Sequence, residues 1–165
     1  MERNFSEVLE NLLIAVESYT ESKRRVNFFN KEWNVNVIVN DECNPDEANK
    51  QIEMFIKNSK KFSKMIEKEF CKTAEDQYNE WWYPEKEITI TSYNDFDKMP
   101  ERKLTLNSIE AVNMYDSNTK QKSSQVGLIV SGEYGVDPEH GWSFGYCNGK
   151  WNKVLFGYSG WLTKF

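Results

Sequence analysis

The pattern of apolar and polar positions separates the chain into a front part typical of helices and a back part typical of short strands. In residues 4–23 the apolar side chains recur at i, i+3, i+4 and i+7, which predicts an amphipathic N-terminal helix. Apolar and polar residues then alternate through residues 33–39. Together with residues 26–29, this segment predicts a strand pair with its turn near residues 30–32.

The next predicted element is a long helix pair. Residues 44–47 read Asn-Pro-Asp-Glu, and an Asn cap followed by Pro at the first helical position is a strong start signal. An apolar face runs from residue 48 to residue 56, weakens at residues 58–59 and resumes from residue 62 to residue 81. This pattern predicts two successive helices, or one kinked helix, that end before Pro84.

The back part of the chain alternates with the period of a strand, and all eight glycines lie at or after Gly127. Four strands are predicted, at residues 108–115, 125–134, 141–147 and 150–158. Asn148-Gly149 between the last two is a strong hairpin signal, because a type I′ turn needs a positive φ at both central residues. These strands form an antiparallel meander.

The predicted fold class is therefore α+β, with an N-terminal helix, a strand pair, a long helix pair and a C-terminal antiparallel meander with helices packed on one face. The length of 165 residues favours a single domain spanning residues 1–165.

Composition changes this picture by excluding several classes of protein. Aromatic residues make up 15% of the chain and the net charge is only −5, which argues against disorder. The acidic balance argues against nucleic-acid binding as the main role, since proteins that bind nucleic acid show an excess of basic residues. No apolar run approaches the ~20 residues that a membrane helix needs. Three well-separated cysteines and no apolar leader predict a cytoplasmic protein.

The segment Asp137-Pro138-Glu139-His140-Gly141 concentrates the candidate chemistry, because it holds the one histidine of the chain. Asp137, Glu139 and His140 lie in one predicted turn next to Tyr134 and Trp142. The set lacks a second nitrogen or a thiolate for zinc and has too few oxygens for calcium. We expect a structural turn here, with a partner-binding loop or the metal site of a metal-dependent hydrolase as alternatives.

Lysines recur at helical spacing along the second half of the predicted helix pair. They are Lys57, Lys60, Lys61, Lys64, Lys68 and Lys72. Because Glu67 and Glu69 interrupt the row and no arginine belongs to it, plain solvation is the main interpretation. Nucleic-acid binding through this lysine stripe is a weaker alternative.

The aromatic run Trp81-Trp82-Tyr83 closes the helix pair. Neighbours on a helix point about 100° apart, so the three rings cannot all face the core. Either the helix end is wedged under the sheet, or Trp81 and Trp82 form part of a protein-binding surface, where such residues are enriched.

Taken with the order of elements before it, the segment DPEHGW resembles a family of bacterial proteins known only as domains of unknown function. The shared features, within residues 26–165, are the strand Trp33–Val39, the helix segment Asn49–Asn58, the aromatic end Tyr78–Pro84, and the residues Asp137, Glu139, His140 and Gly141. The resemblance implies a bacterial, cytoplasmic α+β protein similar in kind to small immunity or interaction proteins. Residues 1–24 are then a helical extension to a family-like core of residues 25–165.

We therefore predict a non-enzymatic protein-binding or toxin-immunity protein, with a protein as its partner and no metal or cofactor. No nucleotide-binding glycine motif is present, and no nucleophile is paired with His140 by the sequence. The candidate binding residues are Tyr134, Asp137, Glu139, His140, Trp142, Trp81 and Trp82.

Overall fold

The computed structural model describes most of the chain after residue 18. The described residues are 19–82, 88–98, 101, 103–156, 162, 164 and 165, with backbone only at residues 81, 82 and 155.

The described chain begins with a β-hairpin made of β1 (Tyr19–Phe28) and β2 (Lys31–Asn40), which pair in antiparallel register. The two turn residues, Phe29 and Asn30, have φ values of 53° and 61°, as a type I′ turn requires. The predicted strand pair is confirmed, with its turn slightly earlier in the chain than expected.

The predicted N-terminal helix over residues 4–23 is wrong for its described part, because residues 19–23 belong to β1. Residues 1–18 of that prediction lie outside the described residues. The physical reason is the partner strand. All ten residues of β1 pair with a residue of β2, up to Tyr19 with Asn40, and such tertiary pairing overrides a helical spacing of apolar residues.

The predicted helix pair is also wrong, because the structure has one continuous helix, α1 (Pro45–Gln77), of 33 residues. Its start agrees with the sequence, since the Asn44 side chain accepts hydrogen bonds from the backbone N–H groups of Asp46 and Glu47. The helix ends in a π-helical turn at Tyr78–Trp82.

The expected weak point at Asn58 and Ser59 does not interrupt α1, because both side chains bond back to the helix. Asn58 Nδ2 donates to the carbonyl of Met54 at 2.9 Å, and Ser59 Oγ donates to the carbonyl of Ile56 at 2.9 Å. The buried face also continues across this point, so packing maintains the helix.

The segment between α1 and the next strand contains a single helical turn, α2 (Asn94–Asp97). Asp95 Oδ2 accepts hydrogen bonds from the backbone N–H groups of Thr91 and Ser92 and from the Thr91 hydroxyl. These bonds hold the turn. Phe96 is 2% exposed and packs in the core.

Five further strands follow: β3 (Ser108–Asp116), β4 (Gln121–Tyr134), β5 (Asp137–Cys147), β6 (Lys150–Trp151) and β7 (Leu155–Phe156). Among the described residues the strand order is β1-β2-β3-β4-β5-β6, with β7 also paired to β5. Every pairing is antiparallel except β2 with β3, which is parallel. The predicted Asn148-Gly149 hairpin joins β5 to β6, with φ values of 51° and 79°.

The predicted arrangement of several helices on one face of a separate meander is therefore wrong. The described part of the chain has one long helix, and the hairpin and the meander form one mixed sheet. The parallel β2–β3 contact needs a crossover connection, which α1 supplies. A helix beside a largely antiparallel sheet is the part of the α+β prediction that is confirmed.

Along the middle of the sheet, neighbouring rows on its two faces differ sharply in polarity. On the face that packs against α1, one row across four strands consists of Val37, Ile109, Val130 and Phe144, each at most 3% exposed. The neighbouring row on the other face consists of Asn36, Ser108, Ser131 and Ser143. Alternation along each strand produces this difference, and the aromatic core lies between α1 and the first face.

Candidate binding site

The DPEHG segment begins β5 rather than forming a separate loop. Its first residue, Asp137, pairs with Tyr134 across a two-residue turn. Asp137 Oδ1 accepts the backbone N–H of His140 at 3.3 Å and lies 3.0 Å from His140 Nδ1. The Asp137 side chain is 8% exposed and that of His140 is 48% exposed. The carboxylate therefore fixes the orientation of the imidazole.

The other candidate residues near this segment are not all at the surface. Glu139 is exposed, whereas Tyr134 and Trp142 have no exposed area. Trp142 Nε1 donates to the carbonyl of Thr105 at 3.0 Å, which satisfies its one polar atom inside the core. A partner at this end of the sheet would meet Glu139 and His140 and not the two rings.

Gly141 occupies a position that other residues cannot adopt. Its φ is +63°, and a Cβ atom there would lie 2.1 Å from the carbonyl oxygen of Gly132. The close approach of β4 and β5 at this point therefore depends on glycine. The presence of Gly141 in the DPEHG segment thus has a structural explanation.

The chemistry that this segment offers is an aspartate–histidine pair without further ligands. Among the described residues, no group of three or more His, Cys, Asp or Glu side chains is placed to hold a metal ion. The three cysteines, Cys43, Cys71 and Cys147, are all buried as free thiols. Burial raises the pKa of all three and that of Cys71 to about 12. The thiolate form of these groups is therefore disfavoured at neutral pH.

The aromatic end of α1 contributes less than the sequence suggests. Trp81 and Trp82 lie in the π-helical turn, and their side chains fall outside the described residues. A contact role for them stays a prediction.

The lysine stripe is exposed along α1, as the sequence predicts. Its members are Lys57, Lys60, Lys61, Lys64, Lys68 and Lys72. Lys72 alone forms ion pairs within the described part of the chain, with Glu75 at 3.3 Å and Asp76 at 2.8 Å. The rest of the stripe is a row of cations without acidic partners among those residues.

The acidic residues of α1 contrast with these lysines, because the fold uses their carboxylates. Glu67 accepts the backbone N–H of Tyr93 at 3.1 Å, and Glu75 accepts that of Ile90 at 2.8 Å. Glu69 accepts Nε1–H of Trp151 at 3.1 Å. The acidic interruptions of the stripe, Glu67 and Glu69, therefore anchor neighbouring segments to α1.

The β5–β6 hairpin is fixed to α1 by hydrogen bonds and aromatic contacts. Gln51 is 2% exposed; its Nε2 donates to Asn148 Oδ1 at 2.6 Å, and its Oε1 accepts the Asn148 backbone N–H at 2.9 Å. The ring of Phe62 makes edge contacts with Tyr146 and Trp151. The hairpin turn is thereby held at a defined distance from the helix.

A cleft of about 230 Å³ lies between α1 and the hairpin. It is lined by Met54, Asn58, Lys61, Phe62, Met65, Tyr146 and Gly149. Met65 is 53% exposed, one of the few large apolar side chains that the described residues leave in contact with water. We call this feature the methionine cleft.

The apolar face predicted from residue 62 to residue 81 includes Met65, so the sequence places this residue in the core and does not predict the cleft. A signal was present in the spacing: Lys61 and Lys68 are four residues before and three residues after Met65. Residues at these separations are neighbours on a helix surface, so Met65 sits among lysines. The hairpin wall could not be inferred, because Gln51 and Asn148 are 97 residues apart in sequence.

Comparisons of this chain with protein-family models, with curated proteins and with solved structures gave no match. The resemblance to bacterial domains of unknown function therefore stays a prediction. In the part of the chain that the structure describes, no helix has the length and apolar character to cross a membrane.

Proposed function

We propose that this protein is a non-enzymatic protein-binding protein that engages its partner through the methionine cleft. The observation that carries the proposal is an apolar recess beside a row of exposed lysines. Apolar recesses rimmed by polar groups are typical of protein contact sites.

The size of the cleft supports a macromolecular partner. A volume of about 230 Å³ lies below the ~300–1,000 Å³ of pockets that enclose drug-sized ligands. It suits one or two inserted side chains, as in the anchor pockets of protein interfaces. Methionine is well suited to such a pocket because its unbranched side chain adapts to different shapes.

Toxin neutralisation is the particular form of this function that we propose. A small acidic protein with an apolar recess on its surface is suited to blocking another protein by tight binding. The test is co-expression with the product of a neighbouring toxin gene in the native host. Rescue of growth by the wild-type chain, with loss of rescue by Met65→Glu, supports the proposal. Failure to rescue contradicts the toxin-immunity form.

Site-specific photo-crosslinking in the native cell tests the contact surface. A photoreactive amino acid replaces either Met65 in the cleft or Glu139 in the DPEHG segment; both positions are exposed. Glu139 is seven residues from the cleft residue Tyr146 along β5, roughly 23 Å at the rise of a strand. A protein adduct at Met65 and none at Glu139 is the expected result. Adducts at Glu139 alone, or at neither position, contradict the proposed site.

A metal-dependent hydrolase is the second candidate, favoured by one observation, the 3.0 Å contact between Asp137 and His140. This pair would have to recruit a third ligand. Thermal unfolding with zinc, manganese or calcium tests it, because a ligand that binds only the native state stabilises it. A rise in Tm that disappears in Asp137→Ala supports this candidate, and an unchanged Tm removes it.

A further inference from the structure

We propose that the methionine cleft recognises an acidic peptide segment, inserting one large apolar side chain of the partner while the surrounding lysines contact its carboxylates. This inference rests on the proposed function and specifies the chemistry of the partner. The occupant is a segment of another protein in which an apolar residue is flanked by Asp or Glu.

Three lysines surround the two methionines of the cleft on the surface of α1. Lys57 lies three residues after Met54. Lys61 and Lys68 lie four residues before and three residues after Met65. These separations make the three lysines neighbours of the two methionines on the surface of α1. A ligand that fills the cleft therefore comes within reach of several cations.

The charge of this surface differs from that of the whole chain. The net charge is −5, yet Lys57, Lys61 and Lys68 are exposed and form no ion pair with a described residue. Residues 54–66 of α1 contain four lysines and no Asp or Glu, and Glu53, just before this range, is paired with Arg24. A negatively charged segment is the complementary partner, and this complementarity speeds association and selects the partner.

The lining of the cleft favours a protein segment over a nucleic acid. Proteins that bind single-stranded nucleic acid typically present accessible aromatic faces on which bases stack. The two aromatic residues of the cleft, Phe62 and Tyr146, are 4% and 2% exposed, so their faces are covered by the core. The accessible apolar atoms belong mainly to Met65, which suits an aliphatic or aromatic side chain.

The cleft is also preorganised, because its two walls are joined on either side of it. Gln51 holds the hairpin turn near one end, through hydrogen bonds of 2.6 and 2.9 Å to Asn148. Glu69 holds the strand at the other end through Trp151. Binding therefore orders little of this protein, which lowers the entropic cost of association.

Selection from a random peptide display library on the wild-type protein tests the proposal, because such a library contains no bias towards acidic sequences. We expect enriched peptides to share an apolar residue with Asp or Glu on both sides. Their affinity, measured by fluorescence polarisation, should fall by about tenfold or more in Met65→Glu and in Lys61→Glu, as for residues central to an interface. It should also weaken as salt is raised.

Lys103→Glu is the matched control, since Lys103 is exposed and carries the same charge, at the opposite end of the sheet from the hairpin turn. Its affinity for the selected peptides should equal that of the wild type. Circular dichroism of each variant shows whether the fold is retained.

Three results would overturn the inference. Enriched peptides without acidic residues that still require Met65 reject the acidic partner but leave protein binding at the cleft intact. A single-stranded oligonucleotide that displaces the peptides and loses binding in Lys61→Glu assigns the lysines to nucleic acid. Absence of any enriched peptide rejects peptide recognition, whereas the proposed function is judged separately by crosslinking at Met65.

Discussion

The DPEHG segment and the methionine cleft lie at different places on β5 and use their side chains in opposite ways. In the DPEHG segment Asp137 is buried against His140, and Gly141 permits a close strand contact. In the cleft Met65 is 53% exposed, and Lys61 is exposed and forms no ion pair with a described residue. The first region holds the structure together, and the second is left available to a partner.

The residues that are unusual in the sequence are therefore not the residues that are available to a partner. A lone histidine that follows two carboxylates attracts attention in a sequence, yet Asp137, Gly141 and Trp142 beside it are used within the fold. Methionine and lysine on a helix attract little attention, yet burial and pairing decide what a surface can bind. The following experiments test this division between committed and available groups.

The largest effect is expected for Gly141→Ala. The positive φ costs about 1–2 kcal/mol for any other residue, and the new Cβ would also lie 2.1 Å from the Gly132 carbonyl oxygen. We expect a loss of at least ~3 kcal/mol in the free energy of unfolding, measured by urea denaturation.

Gly149→Ala is the control for that experiment, because its φ is +79° but a Cβ there meets nothing within 4 Å. Gly149→Ala should lose only the part of the free energy of unfolding that comes from the positive φ, about 1–2 kcal/mol. Equal losses for Gly141→Ala and Gly149→Ala would show that the close strand contact does not matter.

The second effect concerns the connection between helix and hairpin. Gln51→Ala removes both hydrogen bonds to Asn148 and leaves a gap at a position that is 2% exposed. We expect a loss of about 2 kcal/mol in urea denaturation. Asn58→Ala, which removes one exposed bond within α1, should cost less than about 0.5 kcal/mol. If Gln51→Ala behaves like Asn58→Ala, the hairpin is not held by these bonds.

The third test uses pH, because some of the side chains that hold the fold together are carboxylates. Hydrogen bonds from the backbone of Thr91, the Lys98 ammonium group and the backbone of Ser92 lower the pKa of Asp95. A group whose folded-state pKa is depressed contributes stability above its unfolded pKa of about 3.9, and this contribution is lost as pH falls. Asp95→Asn should therefore be less stable by about 1 kcal/mol at pH 7, and the difference from wild type should shrink below pH ~4.

Thermal unfolding of wild type and Asp95→Asn between pH 2.5 and 7 measures this difference. A gap in Tm that stays constant, or widens on acidification, would contradict the role of the ionised carboxylate. Asp97→Asn is a nearby control in which a single exposed ion pair with Lys31 is removed, and such pairs contribute little.

The smallest effect on stability is expected at the lysines. Lys61→Glu removes repulsion from Lys57 and Lys64, which lie four residues before and three residues after it. The free energy of unfolding should change by less than ~0.5 kcal/mol and in the stabilising direction. A clear destabilisation in urea denaturation would show that Lys61 is committed to the fold and would weaken the contrast with the DPEHG segment.

Local elements could be predicted from the sequence wherever neighbouring residues decide the conformation. The Asn44 cap and Pro45 start of α1 agree with the structure, and so does the Asn148-Gly149 turn. The exposure of the lysine stripe was also predicted, because helical spacing and charge together determine which side faces water. Of the candidate binding residues, the exposed positions of Glu139 and His140 are compatible with a contact, whereas Tyr134 and Trp142 lie in the core.

Other features could not be predicted because they depend on residues far apart in the chain. The segment from Tyr19 became a strand because β2 offered a partner of equal length. The methionine cleft needs both α1 and the hairpin turn, and its existence depends on where Gln51 meets Asn148.

By itself, the sequence determined the start of the long helix, the tight turns and the periodic separation of apolar from charged positions, because these follow from the steric and hydrogen-bonding preferences of adjacent residues. Tertiary structure alone decided that one mixed sheet forms, that the helical carboxylates are used for anchoring, and that the hairpin turn forms a second wall beside Met65. Those outcomes depend on which distant segments meet, and the meeting of distant segments is set by packing of the whole core.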